Sequence, residues 1–150
     1  MGKYFEDLEI GQIFQSQAAH TMTRDAIVAY AQEWDPQLYH IDENAAAQSP
    51  VGRIFASAFH SMAVAQKLAH EAGAFDVLPI VGLGITDLTF PKPVIEGDDV
   101  RTRVTVKEKR PSRSKPDQGL VTLHIELLNQ NDDVVLQYTL TELVRRQQAQ

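Results

Sequence analysis

One run of apolar residues limits the folds open to this chain more than any other feature. From about Ile54 to Ala72, apolar side chains cover nearly every face of a predicted helix. A helix that is apolar all round has to be buried, and Gly73 follows it as a C-terminal stop. The sequence therefore predicts a long central helix that other elements surround.

The spacing of apolar residues changes to that of β-strands after this helix. Four segments rich in Val, Thr, Leu and Ile are separated by turn signals, and they span Gly82 to Phe90, Asp99 to Lys109, Leu120 to Asn129 and Val134 to Arg145. Consecutive strands form an antiparallel sheet, and the central helix is the element apolar enough to cover its buried face. We expect an α+β fold, with the sheet wrapped around one helix in a single domain over residues 1–150.

Shorter elements precede the long helix. Residues 13–22 suit a strand, and Thr23 can N-cap a helix that runs until Pro36. Asp42 can cap a further short helix over residues 43–48. The predicted order is thus one strand, a helical block and four strands, without an internal repeat or a linker.

A carboxylate and an imidazole stand five residues apart between the two short helices, at Asp35 and His40. Side chains at that spacing lie on different faces of a helix, whereas the loop that Pro36 imposes can turn both into one cavity. An imidazole exchanges protons near neutral pH, and partial burial could raise the pKa of the carboxyl group toward the same range. We predict a catalytic pair that holds one water molecule. The alternative is a turn residue beside a solvated loop side chain.

Composition excludes several kinds of chemistry. The chain has no cysteine, which rules out disulfides, thiolate metal sites and a cysteine nucleophile. Its formal net charge of −6 argues against nucleic acid as the main partner, because phosphate binding needs a basic face. No apolar run is long enough to span a bilayer, and the acidic N-terminal segment is unlike a signal peptide. We expect a cytoplasmic protein without a membrane partner.

A metal site is not predicted. Asp42 follows His40 in a His-x-Asp arrangement, but no third ligand stands at a suitable interval. Capping of the short helix explains Asp42 more simply.

Three stretches together resemble the MaoC-like dehydratases, the hydratase branch of the hot dog fold. They are Tyr4 to Gln12, Asp35 to Asp42, and Leu88 to Asp98 with its Phe, Pro-Val and Gly-Asp. The resemblance extends over essentially the whole chain. It implies reversible addition of water to a trans-2-enoyl thioester, usually of coenzyme A, to give a 3-hydroxyacyl thioester. Coenzyme A would be part of the substrate, and no separate cofactor is implied.

The resemblance also implies roles for individual residues. Asp35 and His40 would bind the reacting water and exchange protons with it. A backbone N–H near the start of the central helix would bind the thioester oxygen, at Ala58 where the family often has Gly. Ser57 and His60 are further candidates at this carbonyl, although a core histidine and a serine bonded to backbone or to the motif Asp are the alternatives.

Other side chains are candidates for holding the rest of the substrate. Bulky residues beside the catalytic pair could line the acyl site, and these are Trp34 and Tyr39. The basic loop 110–119 could bind the phosphates of coenzyme A, although it could also be a solvated hairpin. The candidate phosphate ligands are Arg113 and Lys115, with Arg53 and Lys92 as further possibilities.

A small curved sheet leaves its edge strands open, so we expect at least a homodimer that extends the sheet. Two other functions suit the same fold. A thioesterase would need an acid in the N-terminal half of the central helix, but residues 54–70 contain none. A non-catalytic module that binds acyl thioesters would be consistent with Ala58 and with the altered turn at Pro36-Gln37.

Overall fold

Four long antiparallel strands and one long helix organise the chain in the computed structural model, which describes residues 2–148. In chain order the elements are β1 (Ile13–Gln15), β2 (His20–Thr21), α1 (Arg24–Trp34), α2 (Glu43–Gln48), α3 (Ala58–Glu71), β3 (Pro79–Thr89), β4 (Asp99–Pro111), β5 (Gln118–Leu128) and β6 (Val134–Arg145). Short 3₁₀ turns cover Phe5–Asp7 and Leu38–His40.

The sheet packs around α3. Its strands lie in the order β4, β5, β6, β3, and both β1 and β2 pair with the outer edge of β4. Buried side chains alternate along β4 and β5, as at Val104 and Ile125, and they pack against Ala65 and Leu68 of α3. The hydrophobic core therefore lies between the sheet and the helix, which confirms the expected architecture.

The central helix begins four residues later than the sequence predicts. The preceding residues are extended, since the Ala56 N–H donates to the Val94 carbonyl (2.8 Å) and the Glu96 N–H donates to the Ile54 carbonyl (3.1 Å). These hydrogen bonds pair the backbone of residues 54–56 with a loop distant in sequence. A helix over residues 54–56 would lose them. The predicted stop is confirmed, because Gly73 has a φ of +86° that favours glycine.

One side of α3 and one edge of the sheet are open in the single chain. Phe59 is 66% exposed, so the expectation that the helix is buried all round is wrong on this side. The edge strand β3 also exposes apolar side chains, among them Ile80, Leu83 and Ile85. A lone sheet covers only one face of a helix, which leaves this apolar surface without a partner in the chain.

Two predicted boundaries differ around β4. The single strand predicted over residues 13–22 is split, because the Ser16 hydroxyl accepts from the Thr102 N–H (3.0 Å) and replaces a strand carbonyl in the ladder. The basic loop is shorter than predicted, because β4 continues to Pro111, which pairs with Gly119. Proline is tolerated there since the end of a strand needs no further N–H.

The N-terminal turn is held against the sheet by Lys109. Its ammonium donates to the carbonyls of Phe5 (3.0 Å) and Leu8 (2.6 Å) and lies 4.5 Å from the Phe5 ring centroid. Gly119 allows the Phe5 ring to approach β5, because a Cβ there would stand 2.3 Å from the ring. None of the helices described is both long and apolar enough to cross a membrane.

Candidate active site

The loop after α1 turns back on itself and brings two polar side chains to one cavity. Asp35 is the C-cap of α1, and its N–H donates to the Ala31 carbonyl (2.9 Å). Pro36 then prevents the helix from continuing, and the Gln37 N–H donates to the Asp35 carbonyl (2.7 Å). The 3₁₀ turn that follows ends at His40, so the chain bends as the sequence predicts.

His40 is buried and has a defined tautomer. Its Nδ1 lies 2.7 Å from the carbonyl oxygen of Phe55, and its ring meets the Phe55 ring edge-on at 4.9 Å. A carbonyl oxygen only accepts, so Nδ1 carries the hydrogen. In the neutral imidazole Nε2 is then an acceptor with a free lone pair.

Asp35 is held by a donor on each carboxylate oxygen. The Ser57 hydroxyl donates to Oδ2 (2.6 Å), and the Gln37 amide donates to Oδ1 (3.0 Å). These two hydrogen bonds lower the pKa of Asp35 against the opposing effect of burial, and His40 lowers it further when its ring is protonated. The expectation of a raised pKa is therefore wrong, because the hydrogen bonds outweigh burial, and Asp35 is an ionised carboxylate near neutral pH.

The pair faces a cavity of about 410 Å³. His40 Nε2 lies 3.8 Å from Asp35 Oδ2, which is too long for a direct hydrogen bond. Apart from the pair, Gln37, Ser61 and Lys92, the lining is mainly apolar. Its larger apolar members are Phe55, Phe59, Phe90, Val94, Val135 and Leu136. Such a space suits an apolar group with one polar reaction centre.

The start of α3 adds hydrogen-bond donors to this cavity. Ser57 is the N-cap residue, but its hydroxyl is bonded to Asp35 and does not cap the helix. The first intrahelical bond runs from the Ser61 N–H to the Ser57 carbonyl (3.0 Å), so the Ala58 N–H precedes it and has no acceptor in the helix. Ala58 lines the cavity, as its predicted role of binding the thioester oxygen through its N–H requires. The Ser57 hydroxyl is bonded to the Asp35 carboxylate, and its role at a substrate carbonyl stays a prediction.

His60 does not line the cavity. Its ring stacks on Tyr30 of α1 with centroids 4.6 Å apart, and its Nδ1 is buried without a hydrogen-bond partner among the described residues. Burial, followed by the charge of His20, lowers the pKa of His60. The structure thus describes a core histidine between α1 and α3, while its role at the substrate carbonyl stays a prediction.

Three of the residues predicted for the acyl site and coenzyme A, namely Trp34, Tyr39 and Arg53, are not among the cavity-lining residues. Trp34 is 68% exposed, and Tyr39 is also exposed, with its ring 6.4 Å from the Phe55 ring. Arg53 is exposed and lies 3.8 Å from Glu96, whose closer partner is Arg24 (2.6 Å). Trp34 and Tyr39 are the chain neighbours of Asp35 and His40, but their side chains are exposed to solvent.

Arg113 and Lys115 lie in the turn between β4 and β5. That turn meets the last residue of β6, whereas the cavity is lined by Val135 and Leu136 near its start. Ten residues of β6 separate that turn from the cavity by roughly 30 Å. Arg113 and Lys115 therefore do not reach the cavity of their own chain. Their role in binding phosphates stays a prediction. Lys92 does line the cavity and forms an ion pair with Asp133 (2.8 Å).

Sequence reasoning missed two parts of the site. In the sequence Gln37 stands out only as a departure in the turn, and the Phe55 carbonyl carries no signal in its side chain. Across residues 2–148, His, Asp and Glu side chains nowhere converge in a group of three that could hold a metal ion.

Comparison with known proteins gives consistent matches. The model of the MaoC like domain family matches residues 6–127. YdeM of Bacillus subtilis, an uncharacterised protein, is 32% identical over 94% of this chain and 98% of its own length. A MaoC-like dehydratase from Rhodospirillum rubrum is 37% identical, covers 99% of this chain and 100% of its own, and superposes with a TM-score of 0.88.

A more distant solved structure extends the likeness in fold. The R-hydratase PhaJ1 from Pseudomonas aeruginosa is 22% identical, covers 98% of this chain and 88% of its own, and gives a TM-score of 0.77. The matches confirm the hot dog fold expected from the sequence.

Proposed function

This chain belongs to the MaoC-like dehydratase family, and we propose that it adds water reversibly to a trans-2-enoyl thioester of coenzyme A. The product would be the 3-hydroxyacyl thioester. The observation that carries this proposal is the 3.8 Å separation of His40 Nε2 and Asp35 Oδ2 at one cavity. Hydration activity in the family's R-hydratases, such as PhaJ1, is consistent with it.

The pair would activate one water molecule. Both facing atoms are acceptors, so the water donates one hydrogen to each and directs its lone pairs into the cavity. As the water oxygen bonds to C3, Nε2 takes a proton and the π electrons move toward the thioester oxygen. The resulting imidazolium is stabilised by the ionised Asp35 and then returns the proton to C2. The bond from Nδ1 to the Phe55 carbonyl holds the ring throughout.

The N-terminus of α3 would stabilise the negative charge on the thioester oxygen. The Ala58 N–H has no acceptor within the helix, and the helix dipole favours an anion at this end. An alanine N–H donates as well as a glycine N–H, so the departure from the family pattern leaves this role intact.

A thioesterase is the rival on the same fold. It would place a carboxylate beside the thioester carbonyl to direct water there. In α3 the first acidic residue is Glu71, at its last position. The acid that lines the cavity is Asp35, and it faces His40. This arrangement favours attack by water on the double bond.

We also propose that the active unit is a homodimer. Phe59 and Phe90 line the cavity yet are 66% and 52% exposed, and the apolar surface of β3 is exposed as well. A second copy paired along β3 would cover this surface and close the cavity from water.

One assay tests the reaction. Purified protein is offered trans-2-enoyl-CoA thioesters from short to long chain, and both the enoyl absorbance and the free thiol are followed. Loss of absorbance without thiol release is the expected result. Thiol release would indicate a thioesterase, and binding of acyl-CoA without turnover would indicate a non-catalytic module.

A further inference from the structure

Gln37 contacts the catalytic carboxylate from the turn that separates the pair. Its Nε2 lies 3.0 Å from Asp35 Oδ1, and the side chain lines the cavity. Its own N–H donates to the Asp35 carbonyl (2.7 Å), and it is the N-cap residue of the turn that ends at His40. Gln37 is thus linked by backbone to both members of the pair and by side chain to one of them.

The two donors on Asp35 come from different elements. Ser57 reaches Oδ2 from the start of α3, and Gln37 reaches Oδ1 from the loop. One donor alone would leave the carboxylate plane free to rotate about the bond to Cβ. Two donors on opposite oxygens fix that plane, and they fix it with Oδ2 toward His40 Nε2.

Gln37 also differs from Ser57 in its surroundings. Ser57 is fully buried, whereas Gln37 is exposed. A thioester in the cavity would exclude water from the Gln37 amide, and a hydrogen bond to a charge strengthens as water leaves. The contribution of Gln37 would therefore be largest when substrate is bound.

The charged groups around Asp35 are few. His40 faces it across the gap, and Ser57 and the start of α3 face it without titrating. Lys92 also lines the cavity but is paired with Asp133. Loss of the Gln37 donor would thus raise the pKa of the Asp35 carboxyl directly.

We propose that Gln37 is a positioning residue, which holds the Asp35 carboxylate in the orientation that leaves His40 to exchange the proton with water. This inference depends on the proposed hydratase function. Gln37, which lies where the turn departs from the family pattern, would thereby orient the catalytic carboxylate.

The experiment combines a titration with kinetics. Gln37→Leu keeps the size of the side chain and removes the donor, while Gln37→Glu places a second carboxylate beside Asp35. Gln32→Leu, at an exposed position on α1, is the matched control. The Asp35 carboxyl is titrated by carbon-13 NMR, with Asp35→Asn to assign its signal, and kcat and KM are measured on an enoyl-CoA.

The titration midpoint of Asp35 should rise in Gln37→Leu, rise further in Gln37→Glu and stay unchanged in Gln32→Leu. The value of kcat should fall about tenfold in Gln37→Leu, with a smaller change in KM. An unchanged midpoint in folded Gln37→Leu, or a raised midpoint with full kcat, would overturn the proposal. Wild-type protein inactive on every enoyl thioester would refute the hydratase function, which the titration does not measure.

Discussion

His40 Nε2 and Asp35 Oδ2 lie 3.8 Å apart, and both residues line the same cavity. A water oxygen about 2.8 Å from both atoms would bond to them at an angle of roughly 85°, which its two hydrogens can approach. Bound in this way, the water keeps its own lone pairs for the substrate. The Phe55 carbonyl holds the imidazole of His40, and the Ser57 hydroxyl holds the carboxylate of Asp35.

Replacement of Ser57 by alanine should reduce activity much more than stability. The hydroxyl donates to Asp35 and does not cap α3, so its loss loosens the carboxylate without exposing the helix end. We expect kcat/KM to fall by about ten- to a hundredfold with a small change in melting temperature. Ser49→Ala is the control, because that buried hydroxyl bonds to the Ala46 carbonyl in α2. A loss of stability without a loss of kcat/KM in Ser57→Ala would contradict this assignment.

Gly119→Ala should destabilise the fold. The added Cβ would stand 2.3 to 2.9 Å from three atoms of the Phe5 ring, so the N-terminal turn must shift. We expect a loss of about 1–3 kcal/mol in the free energy of unfolding, measured with urea. Phe5→Leu in the same chain should make the two losses less than additive, since the smaller side chain leaves room. Simple additivity would mean that the ring and the glycine are not coupled.

The stability of the protein should depend on Glu142. This side chain is buried, one of its oxygens has no partner among the described residues, and burial raises the pKa of its carboxyl from 4.5 to about 7. Between those values the unfolded chain loses the proton and the folded chain keeps it. Stability from this group is therefore present below pH 4.5 and is lost as the pH rises through about 7, by at most about 3 kcal/mol.

Glu142→Gln provides the test of this dependence. The amide stays neutral, so the variant should gain stability over the wild type as the pH rises through that window. Urea unfolding at fixed protein concentration measures the difference. A difference that is independent of pH would show that Glu142 does not keep its proton in the folded protein.

Leu83→Lys should weaken the proposed dimer. Leu83 is an exposed apolar residue on the edge strand β3, and a lysine there opposes pairing with a second strand. Light scattering should show dissociation at concentrations where the wild type is dimeric. Ile10→Lys removes another exposed apolar residue, near the other edge of the sheet, and should leave the dimer intact. Equal dissociation of the two variants would mean that the dimer interface does not lie along β3.

Local signals predicted the elements that carry the catalytic pair. Thr23 and Asp42 cap α1 and α2 as expected, and Pro36 ends the first helix at Asp35. These outcomes depend on residues within a few positions of one another. The four long strands were also predicted, because alternation within each strand reports which face is buried.

Contacts between residues far apart in sequence determine the features of the fold and the site that the sequence did not predict. The start of α3 moved because residues 54–56 pair with residues 94–96, some forty positions away in sequence. The pKa of Asp35 falls because Ser57, from another element, donates to it. The distance of Arg113 from the cavity follows from the strand order. No local pattern in the chain carries this information.

A double-variant cycle on the pair tests the central claim most directly. We predict that Asp35→Asn and His40→Ala each abolish most of kcat/KM for hydration of an enoyl-CoA. The kcat/KM of the double variant should be no lower than that of the less active single variant, because both side chains act on one water molecule. Asp42→Asn, which keeps a helix cap two residues beyond His40, should retain activity. Losses that add in the double variant, or full activity in either single variant, would contradict the shared water.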